Sequence, residues 1–133
     1  MAAQQPAYLI NQLKAFKTGN RNNLIMQVIA TNLSNKDIGN LAAYFSDQKL
    51  NNPTSIETAL AKSGPATMCQ GCHGPSAEGQ GQFPRLAGQQ AKYLELQLKD
   101  FKSGSRKNEP MQAISANLSE TDMKALTAYF GAL

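Results

Sequence analysis

Apolar side chains along this chain return at helical rather than strand spacing. Leu94, Leu98 and Phe101 fall at i, i+4 and i+7, one face of a helix, and Gly104 follows as a C-terminal stop. Leu9, Leu13, Phe16 and Gly19 repeat that pattern near the start. Ser119 stands three residues before Asp122, a variant of the capping box, and opens a helix carrying Met123, Leu126 and Phe130. Ser34 and Asp37 do the same for Ile38, Leu41 and Phe45. A further helix is expected from Ser55 to Lys62, stopped by Gly64-Pro65. Between Gly74 and Gly88, four Gly and two Pro interrupt any period, which predicts a loop. No segment alternates as a strand would, so the expected fold class is all-α.

These likenesses belong to an internal repeat. At an offset of 85, residues 5–48 align without gaps with 90–133, and 22 of the 44 positions are identical. Tyr8-Leu9 meets Tyr93-Leu94, Gln12-Leu13-Lys14 meets Gln97-Leu98-Lys99, and Arg21 meets Arg106. Met26-Gln27 meets Met111-Gln112, and Tyr44-Phe45 meets Tyr129-Phe130. A unit was duplicated, yet the segment equivalent to 54–85 has no upstream copy, because Met1 already aligns with Leu86. The expected organisation is a rear helical half at 1–48, a short polar linker at 49–53 and one complete unit at 54–133.

With 133 residues, 41% hydrophobic and 17% charged, the chain can bury a core and does not read as disordered. Apolar runs such as Leu24-Ile25-Met26 are far too short to span a membrane. The net charge of +4 is spread over both parts rather than gathered on one element, which weighs against nucleic acid as a partner. No charged start followed by an apolar run opens the chain, so it reads as lacking a secretory leader and as beginning within the first copy.

Cysteine and histidine change the picture most. Both Cys and the sole His lie within Cys69-Gln70-Gly71-Cys72-His73. Cys-x-x-Cys-His is the sequence for covalent attachment of a c-type haem. Thiols at i and i+3 project from one side of a helical turn and can form thioethers to two vinyl groups on one porphyrin edge. The adjacent imidazole then ligates iron from below the plane. A structural zinc site needs four ligands and finds only three here besides carboxylates. A thioredoxin-like pair needs an alternating strand and helix context, and a three-residue disulfide leaves the neighbouring His unexplained.

A second axial ligand is sought among five Met. Met68 abuts the attachment site, Met1 is terminal, and Met123 sits at a core helix position. Met26 and Met111 occupy equivalent stretches between two helices. Met111 lies 38 residues beyond His73 in the same unit and follows Pro110, so it is the expected iron ligand. A gap-filling core methionine is the alternative.

Taken together, Cys69–Gly74, Phe83-Pro84-Arg85-Leu86-Ala87-Gly88-Gln89, Tyr93-Leu94, Gln97-Leu98, Phe101–Gly104, Arg106, Met111 and Asn117-Leu118-Ser119 resemble the class I c-type cytochromes, and most closely the di-haem cytochrome c4 group. The resemblance covers essentially the whole chain. It implies a class I cytochrome c fold over about 54–133, with His73 and Met111 as axial ligands and haem c, with its iron, as cofactor. It also implies periplasmic electron transfer between partners such as a membrane-bound cytochrome complex and a terminal oxidase. By the same resemblance the carbonyl of Pro84 accepts a hydrogen bond from the proximal His, and Arg85, Tyr93 and Arg106 contact haem carboxylates. An ordinary turn proline and solvated surface residues are the alternatives. Di-haem members carry a second attachment motif that this chain lacks, so one haem is expected, not two.

Residues 1–48 were shaped to cover a haem that the chain does not itself attach there. They are expected to pack against the complete unit or a second copy, hiding Leu9, Leu13, Phe16, Ile25 and Phe45. An exchanged arrangement, with Met26 ligating a haem from its own or another chain, is a further alternative. For function, electron transfer leads. A haem sensor with an open sixth position and a truncated fragment with no relay role are the competing readings.

Overall fold

The computed structural model describes residues 1–49 and 64–133. Most of the expected 49–53 linker and the whole Ser55–Lys62 helix lie outside the described residues. Seven helices make up the described parts: α1 (Pro6–Lys17), α2 (Leu24–Thr31), α3 (Asn35–Asp47), α4 (Gly64–His73), α5 (Ala91–Ser103), α6 (Glu109–Ala116) and α7 (Glu120–Ala132). Among the described residues there is no strand, only two isolated bridges. The fold of the described residues is therefore all-α, as expected.

Helices α1–α3 and α5–α7 are two copies of one design. In each, the first helix packs on the second and third. Ser34 and Ser119 close full capping boxes with Asp37 and Asp122, so both third helices start where the sequence predicts. Gly104, at φ +77°, turns the chain out of α5 in a conformation that favours glycine. Lys17 Nζ donates to the Leu33 carbonyl at 2.5 Å and Lys102 Nζ to the Leu118 carbonyl at 2.6 Å, pinning the end of each second helix.

One local reading of the sequence differs from the structure. The stretches holding Met26 and Met111 are themselves short helices, α2 and α6. Their starts are set by Asn23 and Asn108, whose side chains accept from the Met26 and Met111 backbone N–H at 3.0 and 3.1 Å. Eight residues give too few turns for a clear period, and the Asn caps were the available signal. Gly64-Pro65 stands at the start of α4, where proline fits the first turn, and its reading as the stop of the Ser55–Lys62 helix falls outside the described residues.

The core of the C-terminal part gathers Leu94, Leu118, Met123, Leu126, Tyr129 and Phe130, with Cys69 and Leu86 packed against it. In the N-terminal part Leu9, Leu13, Phe16, Ala30, Ile38 and Ala42 are buried. That half meets the C-terminal part through side-chain hydrogen bonds such as Gln4 to Arg85 and Arg21 to Gln97, and Ile25, expected to be hidden, is 73% exposed, while Phe45 is half-buried. The reason is that α2 buries only Ala30, leaving Leu24, Ile25, Val28 and Ile29 outward.

Candidate functional site

The last turns of α4 carry Cys69, Cys72 and His73 into a cavity of about 1010 Å³ at the junction of the two halves. Both thiols are free; Cys72 is exposed and Cys69 is partly buried. The Cys69 Sγ donates to the Pro65 carbonyl at 3.3 Å. Burial pushes the Cys69 thiol above its ordinary pKa, so it rests protonated rather than as a reactive thiolate.

His73 is 5% exposed, and its Nδ1 lies 2.7 Å from the Pro84 carbonyl oxygen. A carbonyl only accepts, so Nδ1 holds the proton and Nε2 keeps its lone pair. Burial lowers the His73 pKa, against a smaller opposing pull from the Pro84 bond, which favours the neutral imidazole. A neutral ring with one nitrogen locked and the other free is the form that binds a metal.

The loop after α4 is wound to bring Pro84 there. Gly79 N–H donates to the His73 carbonyl at 2.7 Å, and Leu86 and Ala87 N–H both donate to the Ala77 carbonyl. Gly79 has φ +76°, and a Cβ there would stand 2.4 Å from the Arg85 nitrogen and 2.7 Å from the Pro84 carbonyl carbon. Arg85 turns its Nε to the Ala87 carbonyl at 3.0 Å, while its own backbone is paired with Gln4. Phe83 stands edge-on to the His73 ring, centroids 6.2 Å apart.

Met111, half-buried in the first turn of α6, lines the same cavity, and so does its counterpart Met26. Tyr93 lines it too, its hydroxyl accepting from Arg21 Nη2 at 2.9 Å. Sequence reasoning missed the surroundings of that bond. Arg21 Nη1 and Arg106 Nη2 both donate to Gln12 Oε1 at 2.8 Å, and Arg21 Nη2 and Arg106 Nη1 both donate to Gln97 Oε1 at 2.5 and 2.7 Å. Arg106 Nη2 also reaches the Tyr8 hydroxyl at 2.7 Å. The signal was present: Tyr, Gln and Arg are polar identities kept in both copies of the repeat.

The site suits a large, flat, largely apolar group with a ligated metal. It offers an apolar chamber, two neighbouring thiols, a locked imidazole, a thioether and guanidinium groups. Among the described residues no cluster of three His, Cys, Asp or Glu could hold a bare metal ion, which disfavours the zinc reading. Nor is any described helix long and apolar enough to cross a membrane.

Comparison with known proteins agrees with this chemistry. The family model for cytochrome c matches residues 61–133. Cytochrome c4 of Pseudomonas aeruginosa is 38% identical, over 100% of this chain and 74% of that protein. A thiosulfate dehydrogenase electron acceptor of Thiomonas intermedia is 34% identical, over 99% and 69%. The crystal structure of reduced recombinant cytochrome c4 from Pseudomonas stutzeri superposes with a TM-score of 0.87 at 35% identity, covering 99% of this chain and 83% of that one.

Proposed function

The chain belongs to the cytochrome c family, close to cytochrome c4, and from that premise we propose that residues 54–133 form a mono-haem electron carrier in which His73 and Met111 would ligate the haem iron. The protein is a haem-containing electron-transfer cytochrome whose cofactor is covalently bound haem c. When bound, that group supplies one-electron exchange between ferric and ferrous iron.

The chain's own residues do the rest. Cys69 and Cys72 anchor one edge of the cofactor. His73 presents Nε2, and donation from its Nδ1–H to Pro84 both orients the ring and makes it a stronger donor. Met111 offers a thioether, a soft ligand that favours the ferrous state. Leu94, Leu126 and Phe130 line the chamber and exclude water. Arg85 holds the proximal loop, and Tyr93 faces the polar edge. Exposed Cys72 marks the side from which electrons enter and leave.

The protein works as a carrier rather than an enzyme, in the periplasm. Redox proteins such as a membrane-bound cytochrome complex and a terminal oxidase are its partners. Residues 1–48 serve as a half-domain without an attachment motif of its own.

The His73–Pro84 lock beside two free thiols supports this reading best. Intact mass with a pyridine haemochrome spectrum is expected to count one covalent haem per chain. The reduced Met111→Ala variant is expected to bind carbon monoxide at neutral pH, whereas wild type and Met26→Ala are not. A colourless product from a host competent in haem attachment, or carbon monoxide binding by wild type, overturns the proposal.

A further inference from the structure

The buried arginine ring carries an inference that rests on the haem reading and goes beyond it. Arg21 and Arg106 are each 8% exposed, and each guanidinium lies over a phenyl ring of its own half, Phe16 at 4.5 Å and Phe101 at 4.4 Å. Each amide oxygen, of Gln12 and of Gln97, takes a hydrogen bond from both arginines. Two like charges are thus held one atom apart by neutral acceptors. Among the described residues neither makes an ion pair. The Asp100 carboxylate is joined to the network through Gln97 Nε2 at 3.3 Å, and Arg106 touches Asp100 by its backbone N–H, which bonds the carbonyl at 3.0 Å. Buried charge without an opposite partner is costly unless something anionic faces it. Both arginines line the cavity that His73 enters.

The ring also crosses the boundary between the halves. Arg21 comes from the half without an attachment motif, yet its Nη2 bonds Tyr93 and Gln97 of the complete unit. Because the Tyr93 oxygen accepts from Arg21, its own O–H hydrogen is free to donate into the cavity. We propose that Arg21 is an electrostatic positioning residue for the haem of the other half: it aims the Tyr93 hydroxyl and, paired with Arg106, supplies positive charge that favours the ferrous over the ferric state. Residues 1–48 are then a working part of the redox site.

Redox titration of the haem-loaded full chain tests this. Arg21→Gln is expected to shift the ferrous-to-ferric ratio at fixed potential toward ferric by roughly three- to tenfold, where tenfold corresponds to about 59 mV for one electron. Arg21→Lys keeps the charge and loses the two-armed fork, so it is expected to retain most of the wild-type potential. Gln12→Glu, nearly isosteric and also within residues 1–48, sets a carboxylate between the arginines and is expected to move the potential in the same direction as Arg21→Gln. This variant decides the matter should Arg21→Gln fail to fold. Wild-type potential in haem-bearing Arg21→Gln or Gln12→Glu overturns the inference. So does an equal drop in Arg21→Lys, since charge would then be irrelevant. A wild-type chain without covalent haem would instead defeat the functional proposal above.

Discussion

At the scale of single residues, the site depends on Gly79 as much as on the side chains that bear chemistry. His73 is orientated by the Pro84 carbonyl, and that carbonyl is where it is because Gly79 lets two stretches of loop backbone touch. Gly79→Ala meets a steric and a conformational obstacle together, since φ is +76° and the new Cβ would lie 2.4 Å from backbone. The expected outcome is a loss of about 1–3 kcal/mol in stability, together with a raised haem reduction potential as the His73 bond lengthens and the imidazole becomes a weaker donor. Denaturant unfolding and redox titration read the two effects separately. The attachment residues were legible in sequence because their chemistry needs a fixed local spacing. Gly79 was not, because its reason is contact with residues that only the folded loop brings near.

At the scale of elements, the capping boxes explain why α3 and α7 begin where the sequence predicts. The Ser34 and Ser119 hydroxyls bond the Asp37 and Asp122 carboxylates at 2.6 Å. Those hydrogen bonds hold both acids below the ordinary aspartate value of 3.8. A carboxylate whose folded pKa is depressed stabilises fully above its unfolded value and loses that contribution as pH falls through the folded one. Ser119→Ala is expected to cost about 1 kcal/mol at neutral pH, read by chemical denaturation. The gap from wild type is expected to close as the pH is taken below 3.8. A gap that stays constant on acidification argues that the carboxylate plays no part in the cap. Helices α2 and α6 escaped sequence reading because one Asn cap and eight residues carry little periodic signal.

At the scale of the whole molecule, the two halves are tied by polar contacts rather than by one continuous apolar seam. Gln4, 7% exposed, pairs with both backbone groups of Arg85: its Nε2 donates to the carbonyl at 3.1 Å, and its Oε1 accepts from the N–H at 2.6 Å. Gln5 Nε2 adds bonds to the carbonyls of Glu78 and Gly79. Gln4→Ala strands both Arg85 groups and is expected to lower stability by about 1–3 kcal/mol. Because Arg85 follows Pro84, the variant is also expected to loosen the proximal loop, visible as faster amide exchange at residues 79–86. The amino-acid sequence alone determined the helical class, the duplication and the attachment motif. Each of these is written in spacing along the chain, either a helical period or a fixed interval. Tertiary structure alone decided that residues 1–48 reach into the His73 site through Arg21 and Gln4, and that α2 leaves its aliphatic face bare. Such contacts join residues more than seventy positions apart, and no local pattern encodes which polar side chains will meet once the core has closed.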